Sequence, residues 1–316
     1  MTDLFREKGI KPMLIGLESP PFDDAAFLYE LKIDGERCVA YLDPASGTDL
    51  RNKRDRKLLP IVPELSGIHR CVSRRCILDG ELAVMSAADP DFFAIQRRSM
   101  MTNPQKIHLA AQQRPACFVA FDLLYLCDKP TVGLPLMERK RLLQKTVVHE
   151  NARFAVSRVV ESGGVAFFQL VRARGLEGIV AKRRDSRYSF DKRTKDWIKS
   201  KVLLDEDFVV CGYIRREEHM NSLILGQYQD GRLVPKGSVS LGVNGEAFRR
   251  IRALPVSLAP IFPDSSERGR IVWVTPVLVC TVRYLSKTEH GGMRQPVFKG
   301  LRDDKAPEEC VAREIP

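Results

Sequence analysis

Apolar residues in the first two thirds of the chain gather in short runs rather than in long stripes. Phe27–Lys32, Cys38–Leu42, Cys76–Val84 and Phe118–Leu126 are rich in strand formers, which predicts strands. Two segments repeat their apolar positions at helical spacing instead. Val165–Ala173 ends before Gly175, a residue suited to close a helix, and Leu134–Gln144 carries Pro135 near its start. Residues 1–202 therefore read as a mixed α/β domain. Beyond Val202 the texture changes. Phe208–Tyr213, Leu223–Tyr228, Leu233–Leu241, Ile271–Thr275 and Val277–Leu285 read as strands, with Asp230-Gly231 as a hairpin turn between two of them. One helical stretch, Gly245–Leu254, interrupts them. Strands plus one helix over residues 203–316 fit a small all-β barrel of the OB type, and the strand count fits a small sandwich equally. The charged, Pro-containing tail from Asp303 reads as a fraying end.

Composition narrows the class. The 316 residues are 44% apolar, enough for packed cores and too much for global disorder. Lys and Arg total 51 against 40 Asp and Glu, a net +11 that suits a polyanionic partner and fits an ordinary basic protein as well. The eight cysteines form no CxxC pair and no zinc-spaced cluster. Several lie inside apolar runs, as buried thiols of a reducing cytoplasm would. The N-terminus lacks a signal-peptide apolar region, and no stretch is long enough to span a bilayer. The five histidines show no partnered spacing.

The chemistry concentrates at Glu30-Leu-Lys-Ile-Asp-Gly-Glu-Arg37. A lysine closing an apolar strand, followed by Asp, Gly and Arg, sets an amine at the mouth of a pocket. Gly35 would let the backbone approach a phosphate. An amine acts as a nucleophile only when unprotonated. Read by itself, the same segment is equally a solvated turn between two strands.

Further segments, in order, resemble the signature motifs of the covalent nucleotidyltransferase superfamily, which contains DNA ligases, RNA ligases and mRNA capping enzymes. Lys32-Ile-Asp-Gly-Glu-Arg37 is similar to the first motif, and Leu50-Arg51-Asn52 to the arginine motif after it. Asp79-Gly-Glu81, Phe118-Val-Ala-Phe-Asp-Leu-Leu124, Glu177-Gly-Ile-Val-Ala-Lys182 and Asp196-Trp-Ile-Lys-Ser-Lys201 resemble the next four. Phe298-Lys-Gly-Leu-Arg-Asp-Asp-Lys305 resembles the last. Within the superfamily, this segment and Pro135-Leu-Met-Glu-Arg-Lys-Arg-Leu-Leu143 are most like the ligase domain of bacterial end-joining ligases and their stand-alone relatives. Ser189-Phe-Asp-Lys192 stands where relatives carry a Pro-Gly turn, so the resemblance does not dictate that loop.

The resemblance implies a nucleotidyltransferase (adenylation) domain over 1–202 and an OB-fold domain over 203–316 that swings between steps, with a DNA-binding cleft between the two. It implies an ATP-dependent DNA ligase that seals nicks in repair. Lys32 is the adenylated residue, with Asp34, Arg37, Lys199 and Lys201 completing the catalytic set. The implied nucleotide-binding set is Glu30, Leu31, Arg37, Arg51, Glu81, Phe121, Lys182, Lys199, Lys201, Arg302 and Lys305. Within it Arg51 meets the nick 5′-phosphate, Glu81 the ribose and Phe121 the adenine, Lys199 and Lys201 grip the α-phosphate, and Arg302 and Lys305 orient the leaving pyrophosphate. Glu177 and Asp34 are implied ligands for Mg²⁺ or Mn²⁺. The expected partner is nicked duplex DNA, joined by an end-binding or polymerase repair protein. The expected form is a cytoplasmic monomer with no membrane contact. An RNA ligase, a capping-type enzyme and a non-catalytic single-strand-binding OB protein remain as alternatives. On residue chemistry alone, strand alternation sends Lys199 and Lys201 to one face, opposite Ile198, where their charge would meet a phosphate.

Overall fold

A computed structural model describes residues 3–86, 89–214, 222–262, 271–288 and 291–312. The chain divides into two compact units, Met1–Val202 and Leu203–Pro316. The first unit holds strands β1 (Leu14–Glu18), β2 (Phe27–Leu31), β3 (Glu36–Asp43), β4 (Gly47–Asn52), β5 (Cys76–Ser86), β6 (Asp89–Pro90), β7 (Ala116–Leu126), β8 (Lys129–Pro130), β9 (Phe154–Val156), β10 (Val159–Val160), β11 (Gly178–Arg183) and β12 (Arg193–Lys201). Its helices are α1 (Leu4–Glu7), α2 (Phe92–Ser99), α3 (Pro104–Gln113), α4 (Leu136–Thr146) and α5 (Gly164–Ala173).

Two sheets form the frame. One runs β1-β12-β11-β2-β10, and the other β4-β3-β5-β7-β8 with β6 and β9 at its margins. Alternation sorts their side chains into layers. On β3, Cys38, Ala40 and Leu42 face an outer core against the segment 58–72, α2 and α3, while Val39 and Tyr41 face inward. On β11 and β12, Val180 and Trp197 meet Val39 and Tyr41 in that inner core. Ile179, Ala181 and Ile198 turn the other way, onto Phe168 and Val171 of α5. Gly80 is required where β5 crosses β7, since a Cβ there would lie 2.5 Å from the Phe118 ring.

The expected strands and helices of this unit appear within a few residues of their predicted limits. The elements not expected include β1, β4, β11 and the helices α2 and α3. β4 buries only Leu50, so its sequence lacks an apolar rhythm. The loop at Ser189–Lys192 turns without the Pro-Gly pair. Asp191 takes the left-handed φ of 56° that a glycine would favour, and its N–H donates to the Lys11 carbonyl.

The second unit is a six-stranded antiparallel sheet: β13 (Leu204–Ile214), β14 (Ser222–Gln229), β15 (Arg232–Val239), β16 (Ile271–Trp273), β17 (Val279–Tyr284) and β18 (Val297–Arg302). Asp230 and Gly231 both have positive φ, as a two-residue hairpin between β14 and β15 requires. Helix α6 (Gly245–Arg252) sets Ala247 and Ile251 on the core of Phe208, Leu225 and Val282. The sixth strand, β18, was not expected. The tail is a correction: through residue 312 it does not fray. Tyr228 donates its N–H to the Cys310 carbonyl at 2.7 Å and accepts from Ala312, and Cys310 is buried. Residues 313–316 lie outside the described residues.

Helix α4 ties the two sheets of the first unit together through charge. Arg139 is fully buried and donates to both oxygens of the equally buried Asp122 on β7, at 2.7 and 2.9 Å. Its remaining N–H groups reach the carbonyls of Leu134 and Ser186. Arg139→Met would leave Asp122 charged and uncompensated, a loss of about 3–5 kcal/mol. Urea unfolding should register that loss, and a change under about 1 kcal/mol would show that the pair is not what holds α4.

Candidate active site

A pocket of about 200 Å³ opens in the first unit, lined by Ile15, Glu30, Leu31, Lys32, Ile33, Arg37, Glu81, Phe121, Val180, Lys182 and Trp197. β2 delivers Glu30 and Leu31, and the Lys32 N–H extends the ladder by donating to the Gly178 carbonyl at 2.9 Å. The Lys32 amine projects to Glu177, with Nζ 2.7 Å from Oε2. The Glu177 side chain is only 7% exposed. Burial raises its pKa, the Lys32 ammonium pulls it back, and the nearby charge of Asp34 adds to the rise. The nucleophile candidate and a buried carboxylate thus stand in direct contact.

Arg37 forms the next wall. Its guanidinium donates to both oxygens of the fully buried Asp79 at 2.6 Å and to the Met13 carbonyl at 3.1 Å. Tyr188 donates its hydroxyl to the same carboxylate at 2.6 Å. This locks the Arg37 plane 4.7 Å from the Phe121 ring centre. Lys182 lies 4.2 Å from the same ring centre and 4.5 Å from that of Trp197. Burial lowers the Lys182 pKa to about 8, against the opposing pull of Glu30. Glu30 is itself 2% exposed, and its Oε1 meets Lys140 Nζ at 2.5 Å and Lys182 Nζ at 3.2 Å.

Lys199 and Lys201 lie on the same side of β12 as Trp197, opposite Ile198, as alternation predicts. The parallel neighbour β1 brings Glu18 to them. Its Oε2 is 3.0 Å from Lys199 Nζ and 3.9 Å from Lys201 Nζ. The Lys201 pKa is lowered, first by burial and then by Lys199.

The structure brings Glu30, Leu31, Lys32, Arg37, Glu81, Phe121 and Lys182 to one pocket, with Asp34, Glu177, Lys199 and Lys201 around Lys32. It does not bring Arg51 there. Asp49 holds the Arg51 side chain at 3.1 Å and Asp55 holds it at 2.9 Å, away from the pocket-facing side of β4. That side presents Asn52, followed by Lys53 and Arg54, to an adjoining pocket of about 440 Å³ that shares Arg37 and Glu81 with the first. Gly35 is also required by packing: a Cβ there would lie 2.1 Å from the Leu82 carbonyl oxygen of β5. Arg302 and Lys305 belong to the second unit. Both contact Asp207 Oδ2, at 2.8 and 2.9 Å. Sequence reasoning missed Glu18, Lys140, Tyr188 and Asp207, as well as the part played by Asp79. Of these, Asp79, two residues before Glu81, and Lys140, within Pro135–Leu143, lay inside segments that carried the resemblance.

The sequence matches the family profile described as ATP dependent DNA ligase domain over residues 18–201, and that described as ATP dependent DNA ligase C terminal region over 216–305. It is 31% identical over 298 residues to the multifunctional non-homologous end joining protein LigD of Mycobacterium bovis, covering 90% of this chain and 37% of that protein. It is 32% identical over 241 residues to DNA ligase C of Mycobacterium tuberculosis, covering 73% of this chain and 66% of that protein. A solved structure described as mycobacterial DNA ligase D complexed with ATP and MES superimposes with a TM-score of 0.56 at 28% identity, covering 96% of this chain and 98% of that one. The chain thus spans little more than a third of the LigD relatives' length. The first unit has the nucleotidyltransferase (adenylation) fold and the second the OB fold.

Glu81 carries a pH signature. Burial pushes its carboxyl up to about 8, against the pull of Arg37 and Lys32. The folded state therefore holds the proton more tightly than the unfolded chain. The stability gained is full below the ordinary carboxylate range and is lost as pH rises through about 8. Between about pH 6 and about pH 9 the parent should lose on the order of 2 kcal/mol more than Glu81→Gln. Equal losses in urea unfolding would contradict a neutral Glu81.

Proposed function

This chain belongs to the ATP-dependent DNA ligase family, and from that premise we propose that it seals nicks between 3′-hydroxyl and 5′-phosphate ends through an adenylate on Lys32. The observation that supports this most directly is the Lys32 amine, set 2.7 Å from a buried carboxylate at a pocket walled by cations and aromatic rings. The Lys32 ammonium first gives a proton to solvent; its neutral Nζ then attacks the α-phosphorus of ATP, the N–P bond forms and the bond to the β-phosphate bridging oxygen breaks. The amine proton passes to Glu177, whose raised pKa equips it to accept. Pyrophosphate leaves. The AMP then moves to the 5′-phosphate at a nick, and the 3′-hydroxyl displaces it.

The chain's own charges do most of the stabilising work. Lys199 and Lys201 exchange Glu18 for the α-phosphate. Phe121 and Lys182 receive the base side of the nucleotide, and Glu81 the ribose. Arg302 and Lys305, gathered on Asp207, serve the departing pyrophosphate. Arg51 meets the nick phosphate only after leaving Asp49 and Asp55. Among the described residues no three His, Cys, Asp or Glu side chains are grouped to hold a metal ion. Glu177 and Asp34 nevertheless fit a hard cation that completes its shell with water and phosphate, and they would hold Mg²⁺ or Mn²⁺. Such an ion, when bound, neutralises phosphate charge. Among the described residues no helix is long and apolar enough to cross a membrane. A monomeric repair enzyme acting in the cytoplasm on nicked duplex, alongside an end-binding protein or a polymerase, is part of the same reading.

Lys32→Ala should abolish covalent labelling by ATP, and GTP should not label the parent. The same variant should retain sealing of nicks that already carry 5′-AMP. Labelling of Lys32→Ala would overturn the assignment. Arg302→Ala should slow self-adenylation by roughly a hundredfold or more, about 3 kcal/mol, and leave sealing of adenylated nicks near normal. Equal losses at both steps in single-turnover assays would remove the first-step role.

A further inference from the structure

Behind the pocket, α4 places two consecutive cations in the interior, and they go to different sheets. Arg139 neutralises Asp122 on β7, next to Phe121. Lys140, 6% exposed, reaches Glu30 on β2, two residues before Lys32. Lys140 is not among the residues that line the nucleotide pocket, and its ion pair there is to Glu30. Yet Glu30 Oε1 is also the counter-ion of Lys182, at 3.2 Å. One carboxylate oxygen therefore serves two buried ammonium groups. The Lys140 contact is an ion pair at 2.5 Å, so it brings a second positive charge to the same oxygen.

We propose that Lys140 is a positioning residue for the nucleotide pocket: by sharing Glu30 with Lys182, it sets how firmly Lys182 holds its charge toward a bound nucleotide. The proposal rests on the reading that the pocket takes ATP and that Lys182 meets it. The charged groups facing Lys182 are Glu30 from β2, Lys140 from α4, Asp122 from β7 and Arg37 from β3. Asp122 and Arg37 are each committed to another partner, Arg139 and Asp79. Lys140 is thus the cation that competes with Lys182 for its own counter-ion. Removing it leaves Glu30 to Lys182 alone, and Lys182 keeps its proton to higher pH.

The test is the Michaelis constant for ATP in self-adenylation of the full chain, followed from neutral to alkaline pH. Because Glu81 in the same pocket is also pushed up to about 8, all forms are compared in a Glu81→Gln background, where the constant should rise above a break near pH 8 as Lys182 loses its charge. Lys140→Met should move the break upward by about one pH unit, and Lys140→Arg should leave it in place. If Lys140→Met does not fold, the double variant Glu30→Gln/Lys140→Met removes the pair together, and the break should then fall below that of the parent. An upward shift in the first variant or a downward shift in the second supports the role. A break that stays put in whichever folds, even with a changed Michaelis constant, overturns it and leaves Lys140 as packing. A parent that labels with ATP but shows no break also overturns it. A parent that never labels would instead overturn the ATP-pocket reading, and this proposal with it.

Discussion

Cation crowding is the constraint on which this site depends. Lys32, Arg37, Lys140, Lys182, Lys199 and Lys201 are all built around one small pocket or directly behind it. Two unit charges about 4 Å apart repel by about 4 kcal/mol at the effective dielectric of a protein surface. Several such terms would exceed the net stability of an ordinary domain. The fold answers with carboxylates assigned to particular cations: Glu177 to Lys32, Asp79 to Arg37, Glu30 to Lys140 and Lys182, and Glu18 to Lys199 and Lys201.

Those carboxylates differ in burial, and the difference divides the cations into fixed and transferable ones. Glu30 and Asp79 are 2% and 0% exposed, so Arg37 and Lys182 cannot leave them without stranding a buried charge. Their task is to shape and to hold. Glu18 is 44% exposed, and pairs of that kind are weak. Lys199 and Lys201 can therefore trade Glu18 for a phosphate at little loss. Glu177 lies between these limits. It is buried enough for its pKa to rise, yet close enough to hold the Lys32 amine. In the second unit, Asp207 keeps Arg302 and Lys305 together in the same manner.

Much of this was legible in the sequence, and the gaps have physical causes. Strands buried on at least one face, such as β2 and β7, announce themselves through continuous apolar runs. β4 and β18 bury one residue each, Leu50 and Phe298, and leave no rhythm to read. Helices α2 and α3 were readable and were missed: Asp91 and Asn103 each accept N–H bonds from their first turns, and Ala94 and Ile95 of one and Ile107 and Ala111 of the other are buried. Lys32, Arg37, Lys182, Lys199 and Lys201 could be picked out because a motif fixes their local spacing. Their counter-ions Glu30, Asp79 and Glu177 also fall inside or next to those motifs, whereas Glu18 and the second cation on Glu30, Lys140, could not be paired from sequence. Glu18 is 181 residues from Lys199, and Lys140 is 110 from Glu30, so only the sheet register and the packing of α4 bring them together. Arg51 shows the converse. Its motif suggested a phosphate contact, while the side chain is held by the two aspartates beside it in sequence.

The most direct measurement is a load-and-chase experiment on the purified chain. The protein is charged with ATP labelled in its adenylate, freed of nucleotide and digested, and the label is located by tandem mass spectrometry. A parallel sample receives nicked duplex without further ATP. A site built as described should carry AMP on Lys32 alone, and the loaded protein should discharge it onto the 5′-phosphate and seal the nick in proportion. AMP on another lysine, or loaded protein that keeps its AMP when the nick arrives, would contradict the central role given to Lys32 and the charges around it.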